Sequence, residues 1–328
     1  MTRLAIIDDT LNAALSMADW SPVQARCQVE RVDRHFGSVD EAVAALEPYE
    51  IISTLRERTP FPAELLRRLP NLRLICTTGH MHRTLDHAAA TELGIAVSGS
   101  VDRPGGHQGT PELAFGLMIS LARRIPFNDR RIRQGLWQSG VGVTLAKKTL
   151  GVVGLGKIGS TVARVAQAFG MNVIAWSPNL TDERASAVGV RRVDKDELFR
   201  SADFITVHLI LGERTRGIVG RREIGLMKPT AYFINTARGP LADEDALVDA
   251  LREKRIAGVG LDVYHHEPME AGHPLYAFDT AVLTPHIGYV VEDSFRAFYE
   301  DTVENIVSWL DGKPLRLRNP EVLRKGLR

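Results

Sequence analysis

Residues 149–170, TLGVVGLGKIGSTVARVAQAFG, constrain the fold of this chain more than any other stretch. The apolar run 150–153 has the length and content of a buried parallel strand. Gly154, Gly156 and Gly159 follow in G-x-G-x-x-G spacing. Val162, Val165, Ala166 and Phe169 then recur at helical intervals up to Gly170. Strand, glycine turn and helix in this order form the dinucleotide-binding fingerprint. The first glycine permits the tight turn, the second lets the backbone approach a pyrophosphate, and the third lets helix and strand pack closely. The helix N-terminus then offers N–H groups and a positive dipole end to the phosphates. Gly154, Gly156, Lys157, Ile158 and Gly159 are therefore the expected cofactor contacts at this turn.

A chain of 328 residues suits two domains better than one core. Its 41 Lys and Arg against 40 Asp and Glu leave a net charge of +1, so neither nucleic acid nor a membrane surface is an expected partner. No apolar run reaches the length of a membrane span. The opening MTRLAIIDDT lacks the apolar core of a signal peptide. Two cysteines, Cys27 and Cys76, make no disulfide framework, and a reducing cytoplasm is the expected compartment.

Before the fingerprint the chain already alternates strand and helix. Strands are expected over 4–7, 51–55, 72–77 and 95–97, and helices over 39–46, 62–69 and 85–93. The turn-rich 98–111 marks a boundary. Residues 112–124 form a helix too apolar for an open surface, expected between domains or at a subunit contact, with Trp137 packed at the domain junction. After the fingerprint, strands are expected over 173–176, 204–207, 232–235, 259–263 and 282–284, with 189–193 as a further short one. A helix with an acidic first turn spans 243–252. The periodic tail 292–310 is expected to cross back to the first domain. The fold class is thus α/β with two doubly wound parallel-sheet domains. A flavodoxin-like substrate domain takes 1–100 plus 289–328, and a Rossmann NAD(P)-binding domain takes 101–288.

In an open parallel sheet, ligands bind outside the carboxyl ends of the strands. The strand 232–235 leads to Thr236, Ala237 and Arg238. The strand 259–263 contains Asp262 and leads to His265, His266 and Glu267. The strand 282–284 leads to His286 and Gly288. An arginine can grip a carboxylate as a bidentate fork. A histidine passes protons near neutral pH, and a neighbouring carboxylate favours its charged form. An arginine, a carboxylate and a histidine, with Arg238, Glu267 and His286 among the candidates, therefore fall on one rim of the sheet. Ser177, Asn179, His208, Leu209, Thr236, Ala237, Arg238, Asp262, His286 and Gly288 complete the expected cofactor contacts.

At these residues the chain resembles the D-isomer-specific 2-hydroxyacid dehydrogenase family. The resemblance rests, in order, on GVVGLGKIG, MKPTAYFINTARGPLADEDAL, GVGLDVYHHEP and LTPHIG. It extends through RERTPFPAELLRRLPNLRLI and TTGHMHRTLD in the first half. It implies hydride exchange between a nicotinamide and C2 of a 2-oxo or 2-hydroxy acid, with glyoxylate, hydroxypyruvate or a related 2-oxo acid reduced. Arg238 would hold the carboxylate and carbonyl oxygen, His286 would give the proton, and Glu267 would keep the imidazole charged and oriented. Asp262 would contact the nicotinamide carboxamide. Gly79, His80 and Met81 would receive the substrate carboxylate, although many members have glycine where Met81 stands. The family also implies a hinged cleft and a homodimer joined through the cofactor domains. The formate dehydrogenase branch has glutamine where Glu267 stands. A dinucleotide-sensing corepressor of the same fold is the alternative from another functional class.

Two further expectations concern specificity. Arg56 and Arg58 leave the strand 51–55, where some phosphoglycerate dehydrogenases meet a substrate phosphate; Arg56 is counted among the substrate contacts. A regulatory C-terminal domain is not expected, since the chain ends at Arg328. At the end of the strand 173–176 stands Ser177, where NAD-specific sheets carry an acidic residue; no arginine follows it at once, and Asp182 and Glu183 lie slightly further on beside Arg184, which offsets one of their charges. Acceptance of both NAD and NADP is therefore expected. His80, His82, His87 and His107 have no partner at a metal-ligand spacing, and no metal is expected.

Overall fold

In the computed structural model, residues 1–79, 81–101 and 108–328 are described. The chain divides into two units, Met1–Gly106 with Val291–Arg328, and His107–Val290.

Unit 1 holds five parallel strands: β1 (Thr2–Ile7), β2 (Cys27–Val32), β3 (Ile51–Thr54), β4 (Leu74–Thr77) and β5 (Ala96–Gly99). Their order is β2-β1-β3-β4-β5, with the reversal between β1 and β3. β3, β4 and β5 are buried along their whole length, polar Ser53, Thr54, Thr77 and Ser98 included. β2 was not expected from the sequence: its CQVERV mixes polar and apolar residues because it lies at the sheet edge. One face of the sheet packs Ile7, Ile52, Ile75 and Val97 against Leu46, Leu65 and Leu66. Helix Glu292–Leu310 packs against β4 and β5 and sets Tyr299 beside Trp20, ring centroids 6.2 Å apart. The segment after it covers the β5 edge. Asn319 accepts the Val97 N–H at 2.9 Å and donates to the Ile95 carbonyl at 2.9 Å.

Unit 2 holds seven parallel strands: β6 (Thr149–Val153), β7 (Asn172–Trp176), β8 (Arg191–Arg192), β9 (Phe204–Val207), β10 (Tyr232–Asn235), β11 (Gly258–Leu261) and β12 (Ala281–Leu283). The order β12-β11-β10-β9-β6-β7-β8 reverses between β6 and β9, which places the ligand crevice of a doubly wound sheet at the β6 exit. Helix Glu244–Arg252 starts where expected, its Asp243 side chain accepting the Ala246 N–H.

The apolar helix runs from Gly109 to Arg123. It packs on its own unit's sheet, with Leu117 and Leu121 lying over Gly258 and Gly260, where β11 has no side chains to hold it off. Trp137, expected to pack, is instead 74% exposed. Helix Ile125–Arg133, too polar to show a core-facing stripe, buries none of its residues.

Candidate active site

The β6 exit shows why glycines stand there. Gly154 has φ +103°, and a Cβ on it would lie 2.9 Å from the His208 carbonyl carbon. A Cβ on Gly159 would lie 2.0 Å from the Gly154 oxygen, while Gly156 faces open space and starts the helix Lys157–Ala168. Around this crevice two buried polar atoms lack a hydrogen-bond partner among the described residues: His208 Nδ1 and Thr236 Oγ1. Burial pushes the His208 imidazole down to about 3, so it is a neutral hydrogen-bonding group, joined through Nε2 to Thr206 Oγ1 at 2.9 Å. Leu209 closes over Gly154. An open glycine turn, a helix N-terminus and orphaned polar atoms at neighbouring strand exits fit a bound dinucleotide.

The β10 exit is shaped by its own asparagine. Asn235 Oδ1 accepts the Ala237 N–H at 3.0 Å, and its amide donates to the Arg238 carbonyl at 2.9 Å. Arg238 Nη1 donates to the Ala237 carbonyl at 2.7 Å. The next residue, Gly239, lies against the β11 exit: a Cβ there would meet the Tyr264 carbonyl carbon and oxygen at 2.1 Å. This close approach brings the Arg238 loop to the Glu267 loop.

Glu267 is held at both oxygens. Oε1 accepts the Tyr264 N–H at 2.9 Å, and Oε2 lies 2.5 Å from His286 Nδ1. Burial pushes the Glu267 carboxyl up, but His286, the Tyr264 N–H and the Arg238 charge outweigh it and hold it below the usual carboxylate range. His286 has φ +56°, an uncommon backbone state for a residue with a side chain. Asp262, fully buried, stabilises the loop that carries it. Its Oδ1 accepts Thr284 Oγ1–H at 2.6 Å and the Ile287 N–H at 2.8 Å, and its Oδ2 accepts the Gly288 N–H at 2.8 Å. Burial pushes the Asp262 carboxyl up, partly offset by these donors. Thr110 Oγ1 donates to the Gly288 carbonyl at 3.0 Å, and the Tyr264 hydroxyl donates to the carbonyls of Leu261 and Thr284.

Arg238, Glu267 and His286 thus gather on adjacent strand exits of unit 2. Asp262 sits beneath them with both oxygens engaged by the loop. His265 instead ties Nε2 to the Ala242 carbonyl at 2.8 Å, and His266 is exposed. Ser177 is half-buried at the β7 exit, followed by exposed Asn179, whose carbonyl accepts from Arg184 Nη1 at 3.4 Å.

In unit 1, Gly79 has φ +104° and Arg56 φ +61°. The Arg56 guanidinium lies over Gly79, where a Cβ would come within 2.2 Å of Nη1, and the Arg56 backbone N–H donates to Thr78 Oγ1 at 2.8 Å. Arg58 Nη1 donates to Thr10 Oγ1 at 3.1 Å, and both arginines are half-buried. Met81 is 48% exposed. His80 and His107 lie outside the described residues. His82 is buried, and burial pushes its imidazole down to about 4. Sequence reasoning missed Tyr264, Asn235 and Tyr289, whose ring stands at 83° to the His286 ring with centroids 5.6 Å apart. No spacing rule marks them, because each acts through a contact that only the folded loops create.

Residues 115–288 match the model of the D-isomer specific 2-hydroxyacid dehydrogenase NAD-binding domain. The chain is 37% identical to a D-3-phosphoglycerate dehydrogenase of Archaeoglobus fulgidus, over 85% of this chain and 53% of that protein. It is also 37% identical to a glyoxylate reductase of Aeropyrum pernix, over 80% of each. A phosphoglycerate oxidoreductase structure from Vibrio cholerae superposes with a TM-score of 0.87 at 30% identity, covering 95% of this chain and all of that one. The chain spans about half the length of the D-3-phosphoglycerate dehydrogenases it matches. With the family model covering more than half of its residues, this chain belongs to the D-isomer specific 2-hydroxyacid dehydrogenase family.

Proposed function

We propose that this protein is an NAD-dependent D-2-hydroxyacid dehydrogenase working as a reductase of small 2-oxo acids. The observation that carries the reading is the His286–Glu267 pair on the strand exit beside Arg238. With Nδ1 bound to the carboxylate, Nε2 is the nitrogen left to give a proton to the substrate oxygen. Glu267, ionised over the working range, favours the charged imidazole and fixes its tautomer. Arg238 holds the substrate carboxylate and carbonyl oxygen with its fork. The nicotinamide cofactor, when bound, supplies the hydride. Gly154, Gly156, Lys157, Ile158 and Gly159 hold its pyrophosphate, with His208, Leu209, Thr236 and Ala237 lining the crevice. Arg56, Gly79, His80 and Met81 of unit 1 are read as further substrate contacts. Relatives named for glyoxylate, hydroxypyruvate and phosphoglycerate make these 2-oxo acid classes the first to assay.

The test follows NADH and NADPH absorbance with glyoxylate, hydroxypyruvate and larger 2-oxo acids. His286→Ala should lower kcat by roughly 10²–10⁴-fold while leaving NADH affinity intact. Full turnover in that variant would remove His286 from the mechanism.

Both cofactors should be accepted, because Ser177 puts no carboxylate against a 2′-phosphate and Arg184 is tethered to Asn179 nearby. Ser177→Asp should weaken NADPH binding roughly 100-fold, about 2.7 kcal/mol, and leave NADH binding within a factor of three, read by fluorescence titration. Equal loss for both cofactors would show that Ser177 does not meet the 2′ position.

We read the partner as a second copy of the chain, joined through unit 2. Ile125, Ile132, Leu136, Trp137 and Val141 expose a cluster of apolar side chains beside an open groove of about 870 Å³. Light scattering of Trp137→Glu should show a shift toward monomer; an unchanged mass would move the interface elsewhere. Cys27 and Cys76, both free and buried, suit a cytoplasmic setting, and no described helix is long and apolar enough to cross a membrane.

A further inference from the structure

We infer that Tyr289 is a positioning residue for His286, a wall that fixes the plane of the imidazole. This rests on the reading of His286 as the proton donor. A single hydrogen bond from Nδ1 to Glu267 leaves the ring free to pivot about that bond, and a proton donor that pivots loses alignment with its acceptor. The Tyr289 ring stands at 83° to the imidazole with centroids 5.6 Å apart, an edge-to-face contact that opposes the pivot.

The placement is built, because the backbone between the two rings is fixed at every step. Asp262 accepts the Ile287 and Gly288 N–H groups. Thr110 donates to the Gly288 carbonyl, and the Val290 N–H closes the turn on the Ile287 carbonyl at 2.8 Å. Gly288 leaves no spare room: a Cβ there would lie 3.1 Å from Asp262 Oδ2 and 3.2 Å from Thr110 Oγ1. Tyr289 therefore leaves a rigid turn three residues after His286, and His286 itself is set by its left-handed backbone. Glu267 and Tyr289 hold the ring from two directions, one through charge and one through shape.

The experiment compares Tyr289→Phe, Tyr289→Leu and Tyr289→Ala, each also combined with His286→Ala. The readouts are kcat and KM on the best 2-oxo acid of the panel, NADH affinity by fluorescence, and the His286 Cε1–H resonance, identified by its loss in His286→Ala. Phe keeps the flat ring and should keep kcat within about threefold. Leu fills similar space without a flat wall, and with Ala should lower kcat roughly 10–100-fold at near-constant KM and NADH affinity. Both should also shift the resonance through the lost ring current. On the His286→Ala background the Tyr289 changes should cost nothing further, since they act through the imidazole. Retained kcat in Leu, or additive losses in the double variants, overturns the inference. Full turnover in His286→Ala alone overturns the reading beneath it, a distinct result.

Discussion

The two sheets of this chain reverse direction at equivalent places and fill those places in opposite ways. In unit 1 the reversal lies between β1 and β3, and the residue leaving β1 is Asp8, with φ +65°. Its carboxylate is buried and accepts from Thr54 Oγ1 at 2.8 Å and Thr59 Oγ1 at 2.7 Å. In unit 2 the reversal lies between β6 and β9, and the residue leaving β6 is Gly154, with φ +103°. There the crevice is left open, and His208 Nδ1 and Thr236 Oγ1 around it have no partner among the described residues. The backbone turns through the same left-handed region in both units. One exit is closed by its own side chains and the other is kept for a ligand. Topology makes the crevice, and local side-chain chemistry decides whether it is used.

The strongest way to break the contrast is to give unit 2 the side chain of unit 1. Gly154→Asp would force a Cβ against the His208 carbonyl and set a carboxylate where phosphates would lie. NADH binding should fall below detection in a fluorescence titration, and undiminished binding would place the cofactor elsewhere.

A smaller effect is expected at the Glu267–His286 pair, proposed to handle the proton. Glu267 titrates below its ordinary value, so its ionised form contributes to the folded state above the usual carboxylate range. That contribution is lost as pH falls through the depressed value. Glu267→Gln removes the anion at every pH. The alkaline limb of 2-oxo acid reduction should then move to lower pH, because the proton donor loses its anionic neighbour. A pH–rate profile that does not move would separate Glu267 from the proton donor.

The smallest effect sharpens the closed side. Burial pushes the Asp8 carboxyl up despite the Thr59 and Thr54 hydroxyls. A carboxyl raised in the folded state favours folding most when protonated, below its ordinary value, and that advantage is lost as pH rises through the folded value. Asp8→Asn should therefore flatten the pH dependence of Tm between acid and neutral pH and leave kcat within about twofold. A large loss of kcat would show that unit 1's crevice also takes part in catalysis.

Much of this could be read from residue order, because local rules set it. The run LGVV reads as a buried strand, and glycine at 154 and 159 after it is demanded by the Cβ collisions there. The strand exits that carry Arg238, Glu267 and His286 follow from apolar runs ending in polar residues. What escaped was set by surroundings. β2 carries an edge strand's mixed pattern, and helix Ile125–Arg133 shows no buried stripe. The apolar helix Gly109–Arg123 was legible as a helix but not as a lid on its own sheet. Its partners are the bare backbones of Gly258 and Gly260, some 140 residues further along the chain.

The sequence by itself determined the two α/β units, the dinucleotide turn and the polar residues that stand at the strand exits, since these depend on neighbours within a few residues. Only the tertiary structure decided what those groups do to one another. The Arg238 loop meets the Glu267 loop because Gly239 lets two strand exits touch, and His286 keeps its left-handed backbone because Asp262, 24 residues earlier in the chain, binds the N–H groups that follow it. Such contacts join residues distant in the chain through distances of a few ångströms, and hydrophobic pattern and motif spacing carry no information about them.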